Sequence, residues 1–299
     1  MPPVNDQFER TIVAPAICAG VGVHTGRRVR LAIRPAAPGS GITFVRTDVR
    51  DRDNRIPVSG EAVIDARLNT MIENAAGVRL STIEHLMAAF AALGVSNAVV
   101  EVDGPELPIL DGSALPFVQL LDRAGFRGQD AFRRVIEIVE PIRVQEGDKS
   151  AALLPCDRYE MRFEIDFPTP VIGNQVVDFV VDERTFRDEI MAARTFGFAH
   201  EVEALRQAGL ARGGSLENAV VIDGDVILNP GGLRMEREFV RHKALDAIGD
   251  LYVLGAPLLG RYEGVKAGHA LNNQLVRALL ANPQAWRVVT RAPELALAS

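Results

Sequence analysis

The chain has few of the features that would indicate a secreted or membrane-spanning protein. Only two residues are cysteines, Cys18 and Cys156, and they are too few for a disulfide framework or a thiolate zinc site. The longest mostly apolar stretch, residues 86–95, is too short to cross a bilayer. The opening segment MPPVNDQFERTI contains acidic residues and lacks the apolar core of a signal peptide. We therefore expect a cytoplasmic protein without a membrane span, and contact with a lipid-like substrate stays compatible with this.

An excess of positive charge is also absent. The 33 Lys and Arg residues are outnumbered by 39 Asp and Glu residues, which gives a net charge of −6, whereas a general nucleic-acid binder is usually basic. No P-loop, nucleophile elbow or kinase signature is found. The glycines of AGVGVHTG do not fit the dinucleotide-binding pattern. These absences argue against nucleic acid as a partner and against a nucleotide cofactor.

The order of predicted elements favours an α+β fold in about two domains. Strands are predicted over residues 11–35 and 41–47, and again after residue 135. The predicted helices cover residues 82–93, 117–124, 237–254 and 272–280. The first of these has Ser81 as its N-cap and ends at Gly94. The polar segment at residues 127–134 is the candidate domain boundary.

Histidine is scarce, with five residues in the chain, and one of them belongs to the segment RHKALDAIGDL at residues 241–251. Its spacing places His242, Asp246 and Asp250 on one face of a helix, among apolar neighbours. A lone polar residue on such a face would be costly. A simple His–Asp hydrogen bond would explain the pair, but two histidines and one carboxylate from separate segments are also the usual ligands of a catalytic zinc ion.

A second histidine lies in the segment LSTIEHLMAAF, where Glu84 and His85 occupy the first turn of a predicted helix. The simpler interpretation is a capping box with a partly buried histidine beside it. However, the positive end of the helix dipole favours a neutral imidazole and an ionised carboxylate. These are the states that a metal ligand and a general base require.

Two further histidines follow glycine-rich turns. His269, in GVKAGHALNNQL, precedes a helix whose N-cap is predicted at Asn272 or Asn273. It is either a capping-region residue or a general acid whose imidazolium is oriented by a carboxylate such as Asp250. His24, in AGVGVHTG, lies in a plain hairpin or comes close to a ligand.

Seven of these segments together resemble one family, the bacterial UDP-3-O-acyl-N-acetylglucosamine deacetylases, zinc hydrolases that carry out the committed step of lipid A biosynthesis. The match covers nearly the whole chain, with no departure at a chemically essential position. In chain order the segments are GVGVHTG, LSTIEHLMAAF, DGPELPILDGSA, ARTFGF, GGSLENAVV, FVRHKALDAIGDL and GHALNNQL.

The resemblance implies a fold of two similar α+β domains. Each is a β-sheet with helices, and the helices are sandwiched between the two sheets. The N-terminal domain would comprise residues 1–130, with a small insert near 60–72. The C-terminal domain would comprise residues 131–299, with a βαβ insert near 193–222.

The resemblance also implies the active site. Zinc would be bound by His85, His242 and Asp246, and Glu84 would take a proton from the attacking water. The other implied roles are His269 as the acid, Asp250 as the group that orients it, Thr195 as an oxyanion donor and Lys243 as a residue lining the pocket.

The implied substrate has two chemically different ends. Lys149 and Lys266 could meet its diphosphate as point charges, and His24 is a further candidate contact. The acyl chain could occupy an apolar passage formed by Phe196, Phe198, Val202 and Leu205, although ordinary core packing would explain most of these residues equally well. We expect a monomer that acts on a UDP-linked acylated amino sugar.

Two other functions stay open at this point. One is a zinc amidohydrolase that acts on another acylated sugar nucleotide. The other is a non-catalytic binding protein of the same fold. Loss of Glu84 or of a ligand would have indicated the second alternative, but the chain retains all of them.

Overall fold

The computed structural model describes residues 7–290, so the first six residues of the segment predicted not to be a signal peptide lie outside the described range. The α-helices are α1 (Glu84–Leu93), α2 (Leu115–Ala124), α3 (Glu183–Thr185), α4 (Ala199–Gln207), α5 (Glu238–Tyr252) and α6 (His269–Leu280). The strands in the first half are β1 (Phe8–Ile12), β2 (Ala16–Val21), β3 (Arg28–Pro35), β4 (Ile42–Arg46), β5 (Arg55–Pro57), β6 (Val63–Asp65), β7 (Met71–Glu73), β8 (Arg79–Leu80), β9 (Ala98–Val102) and β10 (Phe126–Phe132). Those in the second half are β11 (Arg134–Ile138), β12 (Ile142–Glu146), β13 (Lys149–Leu154), β14 (Tyr159–Asp166), β15 (Asn174–Val180), β16 (Phe196–Phe198), β17 (Val220–Asp223), β18 (Val226–Ile227), β19 (Leu258–Val265) and β20 (Trp286–Thr290).

Two large mixed sheets enclose a layer of helices. The first sheet has the order β2-β3-β9-β4-β5, and the second has the order β12-β13-β19-β11-β20, with β14 also pairing with β19 and β15. Helix α2 packs on β2 of the first sheet, while α5 and α6 pack on β14 and on β12–β13 of the second. Helix α1 contacts α2 and α5 between them. The prediction of an α+β fold with helices between two sheets is confirmed.

Two small three-stranded sheets lie outside this framework, in addition to the two-stranded pair of β1 and β10. Strands β6, β7 and β8 form one, and β16, β17 and β18 form the other. Strands β16 and β17 are parallel and are connected through α4, which makes a βαβ unit. The ranges 60–72 and 193–222 overlap these two sheets, and both the inserts and the domain limits 1–130 and 131–299 stay predictions.

The segment at residues 127–134, predicted as a domain boundary, is mostly regular strand. β10 pairs antiparallel with β1, with Ile12 opposite Phe126. Only Gln129 of β10 is buried, and its side chain bonds to Asn97 and to the carbonyl of Ala36. The strand was missed because its mostly exposed polar side chains hide the alternation that predicts a strand.

Two predicted helix starts are also wrong. Helix α1 begins at Glu84, with Ile83 as N-cap, because Thr82 has a positive φ of 59° that a right-handed helix cannot continue. Ser81 therefore caps nothing, and its hydroxyl donates to the carbonyl of Pro105. Helix α6 begins at His269, before the predicted cap at Asn272 or Asn273, and its N-cap is Gly268. The predicted end of α1 at Gly94, with φ of 70°, is confirmed.

Helices α1 and α5 cross with no side chain between them at one point. A Cβ atom added to Gly249 would overlap the backbone oxygen of Glu84. The buried side chains of Leu86, Phe90 and Leu245 belong to the core around this contact. The crossing places the first turn of α1 against the middle of α5. No helix within residues 7–290 is long and apolar enough to cross a membrane.

The crossing predicts that Gly249→Ala destabilises the protein. The added methyl group would push the two helices apart, and overpacking of this kind costs about 3 kcal/mol. This outweighs the roughly 1 kcal/mol that alanine gains over glycine inside a helix. Urea unfolding would measure the change in the free energy of unfolding.

Gly128→Ala is the matched control, because a Cβ atom there meets no atom within 4 Å and Gly128 has no positive φ. Its unfolding midpoint should stay close to that of the wild type. An unchanged midpoint for Gly249→Ala would contradict the close crossing.

Candidate metal centre and its cleft

Three helices direct ionisable side chains into one cleft of about 560 Å³. The first turn of α1 contributes Glu84 and His85, the middle of α5 contributes His242 and Asp246, and the first residue of α6 is His269. All five are buried. Helical periodicity sets the α5 pair four residues apart on one face, and the crossing with α1 brings His85 to the same place.

His85, His242 and Asp246 converge on one point. Their candidate ligand atoms all lie within 4.8 Å of one another. The Nε2 atoms of His85 and His242 lie 3.5 and 3.3 Å from Oδ1 of Asp246. These separations are long for N–H···O hydrogen bonds, and Oδ1 of Asp246 is a buried oxygen with no hydrogen-bond partner within the described residues.

The protonation of this cluster also fits a metal ion. The ring of His242 bonds through Nδ1 to the carbonyl of Ala193, 3.0 Å away, so this nitrogen carries the proton and Nε2 presents a lone pair. Burial lowers the pKa of His242 to about 3, which keeps the ring neutral. Two imidazoles and one carboxylate that leave further positions open are the donor set of a catalytic zinc site.

Asp246 divides its two oxygens between this cluster and a lysine. Its Oδ2 atom accepts a hydrogen bond from Nζ of Lys243 at 2.9 Å. Burial opposes ionisation, but the nearby cations Lys243 and His269 nevertheless hold the pKa of Asp246 well below its usual range. The carboxylate is therefore ionised with Oδ1 facing the two histidines.

His269 is held by Asp250. Its Nδ1 atom lies 2.9 Å from Oδ2 and 3.1 Å from Oδ1 of that carboxylate, and Asn272 donates to Oδ2 at 2.8 Å. Burial lowers the pKa of His269, but the carboxylates of Asp250 and Asp246 outweigh it and raise the pKa to about 9. The ring is therefore a cation at neutral pH, and its Nε2 atom lies 3.7 Å from Oδ2 of Asp246.

Glu84 faces the same cleft from the start of α1. Its Oε2 atom accepts a hydrogen bond from the backbone N–H of Thr70 at 3.0 Å. Burial raises the pKa of this carboxyl group above its ordinary value. A carboxylate in such a position is a stronger base than one in water.

The walls of the cleft are mainly apolar on the side of α4 and β16. The predicted passage residues Phe196, Phe198, Val202 and Leu205 all line it, as do the predicted residues Thr195, His24 and Lys243. Phe196 packs edge-on against Phe239, with ring centroids 5.0 Å apart. The loop between β6 and β7 closes another side with Arg67 and Leu68.

The structure does not bring Lys149 and Lys266 to this cleft. Nζ of Lys266 lies 2.9 Å from Asp148 and 3.0 Å from Asp166, so two carboxylates already neutralise it. Lys149 is an exposed residue at the start of β13. It precedes Ser150, which pairs with Val265, the neighbour of Lys266. The basic side chains that do line the cleft include Arg67 and Arg206.

Three residues of the site have no predicted catalytic or binding role in the sequence analysis, which considered Asn272 only as a candidate N-cap of α6. Thr70 and Asn272 hold the carboxylates described above. Glu106 is buried and accepts hydrogen bonds from the backbone N–H groups of His24 and Thr25 at 2.9 and 2.8 Å. It therefore fixes the turn that carries His24. The signal that the sequence offered for Glu106 was an acidic residue within the Pro- and Gly-rich segment DGPELPILDGSA. No comparable signal marked Thr70 or Asn272 as residues of the site.

Comparison with known proteins identifies close relatives. A family model described as UDP-3-O-acyl N-acetylglycosamine deacetylase matches residues 9–281. A protein from Phenylobacterium zucineum (strain HLK1), named UDP-3-O-acyl-N-acetylglucosamine deacetylase, is 66% identical over 289 residues, which are 97% of this chain and 99% of the relative. A protein of the same name from Shewanella sp. (strain W3-18-1) is 50% identical over 285 residues, 95% of this chain and 93% of the relative.

The geometry predicts one tightly bound divalent metal ion per chain. His85→Ala, His242→Ala and Asp246→Ala should each weaken metal binding by more than the roughly 10–100-fold caused by loss of an outer partner. Elemental analysis after gel filtration and titration with Zn²⁺ against a chelating dye would measure this. His200→Ala is the control, because His200 is exposed and outside the cleft lining. Full metal content in His242→Ala would show that the cluster is not the metal site.

Proposed function

Since this chain belongs to the UDP-3-O-acyl N-acetylglycosamine deacetylase family, we propose that it hydrolyses the N-acetyl group of UDP-3-O-acyl-N-acetylglucosamine. The products are acetate and UDP-3-O-acyl-glucosamine, and the reaction is the committed step of lipid A biosynthesis. The observation that carries the mechanism is the convergence of three ligand atoms within 4.8 Å in a cleft that also contains Glu84 and His269.

Zinc is the metal that we propose for His85, His242 and Asp246. When bound, it supplies Lewis-acid chemistry, polarising the acetamide carbonyl and making water a stronger acid. The unpartnered Oδ1 of Asp246 and the free Nε2 lone pair of His242 support this assignment. A nucleotide cofactor is not needed, because the UDP group belongs to the substrate.

Glu84 acts as the general base. It takes a proton from the water that attacks the acetamide carbonyl, and the N–H of Thr70 keeps its carboxylate oriented toward the cleft. Its burial supports the role, since a raised pKa brings a carboxylate closer to the pKa that suits proton transfer near neutral pH.

His269 acts as the general acid. Its imidazolium, held by Asp250 through Nδ1, gives a proton to the nitrogen of the leaving amine. Thr195 and Lys243 stabilise the negative charge that develops on the carbonyl oxygen. The hydroxyl of Thr195 supports this role, because it makes no hydrogen bond to another described residue and lies at the cleft.

The acyl chain and the diphosphate of the substrate would lie against different walls of the cleft. The acyl chain would lie along Phe196, Phe198, Val202 and Leu205, all of which line the cleft. For the diphosphate, Arg67 and Arg206 are better placed than Lys149 and Lys266, since both arginines line the cleft and the two lysines do not. We also propose that the protein works as a monomer in the cytoplasm, where the free thiols of Cys18 and Cys156 stay reduced.

The base assignment predicts the result of Glu84→Gln. The amide keeps the shape of the side chain but cannot accept the proton, so kcat should fall roughly 10²–10⁴-fold. Metal content should not change, because Glu84 is not a ligand. The measurements are acetate release and elemental analysis of the same sample. Glu217→Gln, at an exposed position outside the cleft lining, should behave as the wild type, and equal rates for both variants would rule out Glu84 as the base.

The apolar wall predicts a strong preference for the acylated substrate. Removing the acyl chain should lower kcat/KM by roughly 10²-fold or more, since even four buried methylenes contribute about 0.8 kcal/mol each. Phe198→Ala should lower kcat/KM for the acylated substrate and leave that for UDP-N-acetylglucosamine unchanged. Steady-state kinetics on both substrates provides the comparison. Equal losses on the two substrates would contradict an acyl passage at Phe198.

A further inference from the structure

Thr70 contacts two carboxylates of the site, that of the proposed general base Glu84 and that of Asp250, which holds the proposed general acid His269. It is 3% exposed and immediately precedes β7. Its backbone N–H donates to Oε2 of Glu84 at 3.0 Å, and its hydroxyl donates to Oδ1 of Asp250 at 2.6 Å. Its carbonyl oxygen also accepts a hydrogen bond from the N–H of Ile83, the N-cap of α1, at 3.5 Å. Both its backbone and its side chain are thus used at the site.

We propose that Thr70 is a positioning residue that fixes the general base and the partner of the general acid relative to each other. The inference rests on the function proposed above. Thr70 is absent from the lining of the cleft, so it would act through Glu84 and Asp250 rather than on the substrate. The role concerns geometry: Glu84 belongs to α1, Asp250 belongs to α5, and Thr70 connects the two.

The hydrogen bonds of Asp250 indicate why the hydroxyl matters. Asn272 donates to Oδ2 of this carboxylate, and His269 lies within reach of both oxygens. The hydroxyl of Thr70 donates a hydrogen bond to Oδ1. The distance between the two oxygens is 2.6 Å, which is typical of a charge-assisted O–H···O⁻ bond. Without this donor, the contact with His269 at 3.1 Å would be the one described contact left on Oδ1, so the carboxylate and the imidazole would be oriented less tightly.

The position of Thr70 in the chain adds a second connection. It directly follows the loop of the first small sheet, whose residues Arg67 and Leu68 line the cleft. The bonds to Glu84, Ile83 and Asp250 therefore anchor one end of a loop that would contact the substrate. A misplacement of about 1 Å in a catalytic group can cost 10²-fold in rate, so a shared anchor for base and acid is expected to affect kcat.

The test compares Thr70→Val with Thr70→Ser. Valine keeps the shape and the backbone N–H but removes the hydroxyl, whereas serine keeps the hydroxyl. We expect Thr70→Val to lower kcat roughly 10–100-fold, the size of effect that misplaced catalytic groups produce. Its KM, its metal content and its affinity for the product UDP-3-O-acyl-glucosamine, measured by calorimetry, should stay unchanged. Thr70→Ser should restore kcat to near the wild-type value.

Thr11→Val is the control for loss of a buried threonine hydroxyl. Thr11 is fully buried in β1, outside the cleft lining, and its hydroxyl donates to the carbonyl of Asn97 at 2.7 Å. This variant should lower the melting temperature and leave kcat per folded molecule unchanged.

Two results would overturn the inference. One is a wild-type kcat in Thr70→Val. The other is a loss of activity in Thr70→Val that follows loss of metal or of folded protein and is not reversed in Thr70→Ser, which would make the residue purely structural. The wild-type enzyme in the same assay tests the proposed function separately. If the metal-loaded wild type releases no acetate, both proposals fail, whereas if it turns over normally only the role of Thr70 is in question.

Discussion

Helices α1 and α5 meet where Gly249 leaves no side chain between α5 and the backbone oxygen of Glu84. This contact sets the distance between the first turn of α1 and the middle of α5, and therefore the distance between His85 and the pair His242 and Asp246. The ligand atoms lie within 4.8 Å of one another only because the helix backbones approach this closely. The two sheets hold the helices from either side, and the packed core resists the separation that would pull the ligands apart.

The chemistry of the site follows from how its buried charges are compensated. Each buried ion costs several kcal/mol unless it is paired and hydrogen-bonded. Lys243 pairs with Oδ2 of Asp246, and Asp250 pairs with His269. Oδ1 of Asp246 is left facing two imidazole nitrogens, and the proton of His242 is directed away toward Ala193. A purely structural His–Asp hydrogen bond, which the sequence alone left open, explains this arrangement poorly, whereas a bound cation completes it.

Local sequence rules were sufficient to predict which site residues lie together when those residues belong to one helix. The spacing of His242, Asp246 and Asp250 follows from helical periodicity, and the sequence placed all three on one face. The same rules failed where the partner of a side chain lies far away in the sequence. Asn272 or Asn273 was predicted to cap α6, but the helix begins at His269 and the side chain of Asn272 bonds to Asp250. For Lys266 the sequence shows a free positive charge and cannot show that Asp148 and Asp166 lie beside it. The meeting of α1 with α5, which lie far apart in the chain, came from the resemblance and not from any pattern within the segments.

Phe196 connects the apolar wall of the cleft to the metal centre. Its ring packs on Phe239 of α5 at 5.0 Å and lies 6.4 Å from the ring of His242. The ammonium group of Lys243 lies over the same ring, 5.7 Å from its centre. An acyl chain that packs against Phe196 would therefore contact a side chain that packs against both the proposed metal ligand His242 and the lysine bound to Asp246. Binding energy from the remote chain can in this way be used to order the groups around the reacting amide, which is where it raises the rate rather than the affinity alone. The helices carry the proposed ligands and proton carriers, and the two small sheets supply walls of the cleft, so we expect that substrate preference can change in the walls while the chemistry stays fixed.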